Sequence, residues 1–201
     1  MRIAVVVPSG DLIHADVVGS LLQIFGRTSM AGHEVAFINP RSSAVQRGRN
    51  MGVRAALKMK ADLVYWQDSD VVAPADTILR LIGHNKPVVG CSYRRRRPPY
   101  TETAETHLGE PVDLNNNKVI GKINRLPGGC ILVKASVYRT LRAPWYHMPW
   151  DIDAQEIIGE DEFFCDKCRG VDIQPWIDYS LSRELGHIGA VAIRHGTNVD
   201  A

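Results

Sequence analysis

The chain has 201 residues, of which 45% are hydrophobic, and its formal net charge at pH 7 is +2. This length and composition suit one domain with a sizeable core, so we predict a single domain over residues 1–201. The nearly balanced charge excludes a general attraction to nucleic acids or membrane surfaces, and an anionic partner would have to be bound locally.

Residues 1–92 alternate between strand and helix patterns. The continuous apolar run at residues 3–7 predicts a strand covered on both faces, and further strands are predicted at residues 34–38, 63–66 and 86–91. Apolar residues at helical spacing lie between them, at residues 17–25, at residues 46–60 and after Pro74. This alternation predicts a mostly parallel, doubly wound α/β sheet, in which ligands bind beyond the carboxyl ends of the strands.

Residues 93–201 lack this regular alternation. Polar residues at 98–117 predict a loop, and later segments predict strands at 118–125 and 129–134, a short helix from Ala135 and an aromatic loop at 144–150. Another helix is predicted from Gly159, with acidic residues in its first turn, where the helix dipole favours them. The chain therefore combines a nucleotide-binding type of half, residues 1–92, with a more irregular half, residues 93–201.

Two carboxylates follow the predicted strand at residues 63–66. Asp68 and Asp70 are separated by one residue, and alternate residues of a strand point to the same face. Both can therefore reach one divalent cation, which prefers oxygen ligands, and the pattern predicts a site for a metal bound to a diphosphate. The alternative is a plain turn after a strand, because Asp-Ser-Asp is common in turns.

Other short motifs occur in a fixed order around this pair. They are Pro8 and Ser9 after the first strand, residues 46–50 at a helix start, and residues 127–130, 159–161 and 185–189. In this order and at these intervals the set resembles the glycosyltransferases of the A-type fold, close to the family-2-like group and its short phage and metagenomic members. The resemblance extends from residue 3 to about residue 190. It implies a single-domain glycosyltransferase-A fold with an acceptor-side second half, a nucleotide-sugar donor and Mn²⁺ or Mg²⁺.

The resemblance also implies metal ligands. Asp70 matches the direct ligand, and Asp68 matches a second ligand or a partner of the ribose or of metal-bound water. His187 matches a third ligand, with His195 as the second choice, and imidazole suits Mn²⁺ better than Mg²⁺. The alternative for His187 is a histidine whose hydrogen bonds are satisfied within a strand and turn.

Asp161 resembles the catalytic base of inverting members, with Glu160 as the second choice. A carboxylate near an acceptor hydroxyl can remove its proton during attack on the anomeric carbon, and neighbouring acids should raise its pKa. The alternative is that residues 160–162 are solvated acids that stabilise a helix N-terminus. In a retaining enzyme this base would have no role.

The remaining implied contacts are to the donor. Arg49 and Asn50 at a helix start can offer donors to phosphates or to the nucleobase. The Pro-Ser pair after the first strand is expected to shape the nucleobase pocket. Gly128 and Gly129 would let the backbone approach the donor sugar or the acceptor. All of these could instead be turn residues.

Arginines occupy positions 94–97, after the end of a strand that lies on the ligand side of the sheet. A solvated loop is the usual interpretation of such a run. Two alternatives use its position: it holds the donor diphosphate, or it binds the phosphates of a nucleic-acid acceptor. Possible stacking surfaces for bases are Tyr100, Trp145, Tyr146 and Trp150.

The cysteines and the apolar runs bear on location. Cys165 and Cys168 have zinc-like spacing, but no second cysteine pair accompanies them, so a buried helix face is predicted instead. The four cysteines do not form the framework of a small secreted protein, and no stretch approaches the roughly 20 apolar residues that span a bilayer. We expect a protein of the bacterial or phage-infected cytoplasm that does not act at a membrane.

The sequence thus predicts a metal-dependent, inverting hexosyltransferase that uses a UDP-linked donor. Its acceptor hydroxyl would belong to a soluble glycan, a glycoside or a hydroxylated base in phage-type DNA. One alternative is a nucleotidyltransferase on a similar sheet, although residues 8–11 lack the Gly-rich, Lys-bearing loop expected of one. The other is a noncatalytic module that binds a sugar nucleotide or nucleic acid, which would not hydrolyse the donor.

Overall fold

The computed structural model describes residues 1–189, and a seven-stranded sheet runs through its centre. The strands of this sheet and of two small sheets are β1 (Arg2–Val6), β2 (Glu34–Ile38), β3 (Leu63–Gln67), β4 (Val71–Val72), β5 (Val88–Gly90), β6 (Ile120–Lys122), β7 (Cys130–Lys134), β8 (Trp150–Asp151), β9 (Glu156–Ile157), β10 (Pro175–Asp178) and β11 (Gly186–His187). The helices are α1 (Ala15–Met30), α2 (Val45–Lys58), α3 (Thr77–Gly83), α4 (Ala135–Thr140), α5 (Glu160–Arg169) and α6 (Tyr179–Ser182).

The order of strands in the large sheet is β2-β1-β3-β7-β5-β10-β6. Strand β1 is parallel to β2 and β3, and β5 is parallel to β10. Strand β7 lies between β3 and β5 and is antiparallel to both, and β6 is antiparallel to β10. Five of the seven strands therefore run in one direction, which confirms the predicted α/β sheet of mainly parallel strands.

The continuous apolar runs form strands because both faces of the sheet are covered. Val6 and Trp66 point into one core, on the side of α2, whereas Val5 and Tyr65 point into the other, on the side of α1. All four side chains are fully buried. Alternation of apolar and polar residues is not required in a strand that lies between two helical layers.

Predicted boundaries differ from the structure most in the second half. The strand predicted over residues 118–125 shortens to β6, whereas the helices predicted from Ala135 and after Gly159 form as α4 and α5. Strand β11 was not predicted, and it pairs in antiparallel fashion with β4, just after the aspartate pair. This pairing brings the end of the described chain to the ligand edge of the sheet.

The helix carrying the cysteine pair packs against the core. Cys165 and Cys168 are both buried on α5, in keeping with the predicted helix face. Within residues 1–189, no helix combines the length and the apolar character needed to cross a membrane.

Candidate functional site

A cleft of about 330 Å³ opens where β1 and β3 end and where α2 and α5 begin. It brings together residues from separate predicted motifs, because the carboxyl ends of parallel strands and the starts of the following helices meet at one edge. Residues predicted for the site that line the cleft are Pro8, Ser9, Arg49, Asp68, Asp70, Glu160 and Asp161.

Arg49 lies at the centre of the site and has a side chain only 2% exposed. Its guanidinium forms ion pairs with Asp68 (Nη2 to Oδ1, 2.9 Å) and Glu160 (Nε to Oε1, 3.0 Å), and Nη1 donates to the Gly128 carbonyl at 3.2 Å. Burial alone would lower the pKa of Arg49, but the two carboxylates raise it well above its ordinary value. The guanidinium is thus engaged by protein groups and holds Asp68 and Glu160 in place.

Asn50 does not line the cleft, because its amide is bonded within the protein. Its Nδ2 donates to the carbonyls of Gln46 (2.7 Å) and Tyr146 (2.6 Å), and its Oδ1 accepts from the Trp145 backbone at 3.0 Å. These bonds anchor the aromatic loop to α2. The structure therefore does not support the predicted contact between Asn50 and the donor.

The two predicted glycines are packed against the polar residues of the site. A Cβ atom on Gly128 would lie 2.3 Å from Nη2 of Arg49, and one on Gly129 would lie 2.8 Å from Oδ2 of Asp68. The Gly128 amide also donates to Oδ2 of Asp161 at 3.2 Å. The groups that these two glycines approach are side chains of the protein, and an approach to the donor sugar or the acceptor stays a prediction.

Gly128→Ala is expected to displace Arg49 and weaken both of its ion pairs. Overpacking of a tight site costs about 1–3 kcal/mol, so the melting temperature should fall. The matched control is Gly19→Ala in α1, where no heavy atom lies within 4 Å of the added Cβ and stability should hold or rise. Thermal unfolding of both variants measures the difference, and equal melting temperatures would contradict this account of Gly128.

His187 lies beside Asp70 because β11 pairs with β4. Its Nε2 is 3.6 Å from Oδ2 of Asp70, and its Nδ1 is 2.8 Å from the Arg94 carbonyl. The neighbouring carboxylate of Asp70 raises the pKa of His187, although burial acts to lower it. Burial acts to raise the pKa of Asp70, but the adjacent imidazole of His187 and the charge of Arg96 lower it.

These side chains fit a divalent cation that takes further ligands from a bound substrate. Asp70 and His187 offer oxygen and imidazole donors next to each other, which suits Mn²⁺. Asp68 faces Arg49 and Tyr93 instead, with its Oδ2 3.4 Å from the Tyr93 hydroxyl. Across residues 1–189, no three His, Cys, Asp or Glu side chains are arranged to hold a metal ion by themselves. Diphosphate oxygens and water usually complete such sites.

Asp161 lies between this cleft and a second cavity of about 260 Å³, and it lines both. Its Oδ1 accepts from the Glu162 amide at 2.9 Å. Burial, followed by the negative charge of Glu160, raises the pKa of Asp161 to about 6. The rise in the pKa of Asp161 was predicted from neighbouring acids, but burial contributes more to it than Glu160 does. The burial of this carboxylate could not be seen from its neighbours in the sequence.

The second cavity contains residues that sequence reasoning missed. Arg125 is charge-balanced there by Glu105 (3.4 Å) and Glu162 (3.3 Å). Tyr93 was also missed, although it follows the strand predicted at residues 86–91 and so reaches the same sheet edge. Its ring centroid lies 4.9 Å from that of His187. The polar residues that line the cavity besides Asp161 include Tyr93, Arg95, Glu105, Arg125, Glu162 and His187.

The aromatic loop is mostly part of the core. Trp145 and Tyr146 are buried, and the Tyr146 ring stacks on Phe164 with centroids 4.9 Å apart. The predicted use of Trp145 and Tyr146 as stacking surfaces is therefore wrong. Trp150 and Tyr100 are exposed.

The four arginines point to different surroundings. Arg94 lies 3.6 Å from Glu102, Arg95 lines the second cavity, and Arg96 forms an ion pair with Asp70. Arg97 is exposed. His195, the second choice for a metal ligand, lies outside the described residues.

Residues 21–119 match the Anp1 family model. A mannan polymerase II complex anp1 subunit of Schizosaccharomyces pombe is 32% identical over 94 residues, which are 46% of this chain and 21% of the relative. A vanadate resistance protein of Candida albicans is 34% identical over 97 residues, which are 47% of this chain and 20% of the relative. The chain thus spans about a fifth of the length of these curated relatives.

Two solved structures resemble the whole described fold. A protein from STIV is 17% identical, with a TM-score of 0.57 and coverage of 97% of this chain and 100% of that one. A mutant Drosophila β-1,4-galactosyltransferase 7, in complex with manganese, UDP-Gal and xylobiose, is 15% identical, with a TM-score of 0.56 and coverage of 94% and 71%. These likenesses confirm the predicted glycosyltransferase-A fold.

Proposed function

We propose that this chain, which has the glycosyltransferase-A fold, is a divalent-cation-dependent enzyme that transfers a hexose from a UDP-linked donor to a hydroxyl group of a glycan or glycoside. The observation that carries the proposal is the position of Asp161. This carboxylate lies between the cleft that contains Asp68 and Asp70 and a second cavity, and its pKa is about 6. A base is useful at such a boundary, where donor and acceptor would meet.

The cleft is suited to the donor. Asp70 and His187 would hold Mn²⁺ or Mg²⁺, with Asp68 nearby, and the bound cation would neutralise charge on the leaving diphosphate. Pro8 and Ser9 form part of the wall that would face the nucleobase. The galactosyltransferase with the same fold binds manganese and UDP-Gal, which supports this class of donor.

Asp161 would act on the acceptor. Its carboxylate would take the proton of the acceptor hydroxyl while that oxygen forms a bond to the anomeric carbon. The bond from this carbon to the diphosphate oxygen breaks, its electron pair leaves with UDP, and the configuration inverts. Glu160 is a positioning residue in this scheme, because its carboxylate is bound to Arg49.

The second cavity favours an uncharged acceptor. Its arginine charge is balanced by Glu105 and Glu162, and Asp161 adds a further carboxylate. These carboxylates disfavour a polyanion such as DNA, and no stacking surface lies at the cavity, because Trp145 and Tyr146 are buried and the exposed rings of Tyr100 and Trp150 do not line it. The mannan polymerase complex of the Schizosaccharomyces pombe relative also supports a glycan acceptor. A cytoplasmic location stays a prediction.

The test is an activity screen with Mn²⁺, in which UDP- and GDP-hexoses are offered with neutral glycosides, oligosaccharides or hydroxymethylated DNA. We expect slow hydrolysis of one donor without acceptor and faster transfer to a neutral glycan. A sugar nucleotide that binds but undergoes neither reaction would instead indicate a noncatalytic module. A product with retained anomeric configuration would remove the role of Asp161 as base.

A further inference from the structure

The segment of residues 93–96, here called the arginine strap, contacts every side chain that was predicted to bind the metal and that the structure describes. The Tyr93 hydroxyl donates to Asp68, the Arg94 carbonyl contacts Nδ1 of His187, and the Arg96 guanidinium forms an ion pair with Asp70. The position of the arginine strap is therefore linked by direct contacts to the binding of a metal ion at Asp68, Asp70 and His187.

The contact of Arg96 is the one that a metal would have to change. Its Nη1 binds Oδ2 of Asp70, the same oxygen that faces Nε2 of His187. A cation bound between Asp70 and His187 needs this oxygen. The side chain of Arg96 is 51% exposed and that of Asp70 is 26% exposed, so solvent reaches the pair. Ion pairs of this kind contribute little to stability and can be exchanged.

We propose that Arg96 is a counter-cation that competes with the divalent cation for Asp70 and, once displaced, binds the diphosphate of the donor. A guanidinium can bind two phosphate oxygens at once, which makes it a good partner for a diphosphate. The inference rests on the proposed function, because it assumes a site for a metal and a nucleotide.

Cooperative binding follows from this competition. A divalent cation that binds alone must remove Arg96 from Asp70 and leave the guanidinium without a partner. When UDP is present, its diphosphate offers Arg96 a new partner, so the cation binds Asp70 at less cost. The same coupling must act in reverse, and the cation should tighten UDP binding by the same factor.

The experiment measures Mn²⁺ affinity of the full chain with and without UDP, from the electron paramagnetic resonance signal of free Mn²⁺. For Arg96→Ala we expect about fivefold tighter Mn²⁺ binding without nucleotide, the scale of a partly exposed ion pair. The factor by which UDP tightens Mn²⁺ binding should fall by a similar amount. Arg96→Lys keeps the charge and should lie close to the unmodified chain. Arg97→Ala removes a neighbouring exposed arginine and should change neither quantity.

Several outcomes would overturn the inference. If Arg96→Ala binds Mn²⁺ alone no more tightly than Arg97→Ala does, Arg96 does not compete for Asp70. If UDP tightens Mn²⁺ binding equally in both variants, the displaced guanidinium does not bind the diphosphate. In these two cases the metal site and the proposed function stand. An unmodified chain that binds no Mn²⁺ even with UDP would overturn the proposed function as well.

Discussion

Asp161→Asn is expected to lower the transfer rate by at least about two orders of magnitude, the usual scale of general-base catalysis, while UDP affinity is retained. The amide cannot accept the proton of the acceptor hydroxyl. In the unmodified chain the rate should fall as the pH drops below about 6, because the carboxylate is then protonated. The remaining transfer rate of the variant should not show this fall below about pH 6.

Asp161→Asn should also change how the stability of the protein depends on pH. Because the folded-state pKa of Asp161 is raised, its stabilising contribution is complete below the ordinary value of 3.8 and is lost as the pH rises through about 6. The variant lacks this titration. Its melting temperature relative to the unmodified chain should therefore be more favourable at about pH 7.5 than at about pH 4.

A control on the same helix tests whether the effect is specific. Asp166→Asn removes a carboxylate of α5 that lines neither cavity. Asp166 lies 3.8 Å from Arg125, but Arg125 keeps Glu105 and Glu162 as partners, so the variant should keep most of the transfer rate. A near-normal rate for Asp161→Asn would exclude Asp161 as the base. Equal losses in the two variants would point to a general effect of charge on α5.

Asp70→Asn is expected to reduce turnover by at least about a thousandfold and to abolish the Mn²⁺ dependence of UDP binding. The amide keeps the shape of the side chain but removes the negative charge, and a cation that stabilises the leaving group supplies several kcal/mol. His187→Ala should weaken Mn²⁺ binding less, because the carboxylate remains. Titration of UDP at several Mn²⁺ concentrations measures both effects.

The neighbouring residue provides the control for Asp70. Ser69→Ala changes the turn between the two aspartates without removing a carboxylate, and it should retain Mn²⁺-dependent UDP binding. Unchanged Mn²⁺-dependent affinity in folded Asp70→Asn would show that this carboxylate is not a ligand. The metal site would then have to be sought elsewhere on the ligand edge.

The central strands of the first half could be predicted because each is a short run of consecutive apolar residues. Residues 63–66 were predicted as a strand, and they form the fully buried strand β3 with one further residue, Gln67. The pairing of β4 with β11 could not be predicted in this way. Each strand has two residues, which is too few for a period, and the partners are more than a hundred residues apart.

Side-chain roles were harder to predict than side-chain positions. Arg49 was placed at the site, but its two carboxylate partners, Asp68 and Glu160, lie 19 and 111 residues away in the chain. These distant contacts decide whether such an arginine is free to bind a ligand or is already paired with carboxylates of the protein. In the same way, composition cannot distinguish Tyr146 stacked on Phe164 from an exposed ring.

The antiparallel strand β7 has a consequence for how the chain folds. It comes from the second half, yet it occupies the position between β3 and β5 of the first half. A fragment of residues 1–92 would lack this strand and would leave β3 and β5 with unpaired edges, which promote aggregation. The division near residue 92 therefore does not separate two folding units, and the cleft takes residues from both sides of it. The chain must be synthesised through β7 before β3 and β5 are joined in one sheet, and the cleft gains Glu160 and Asp161 only when α5 follows.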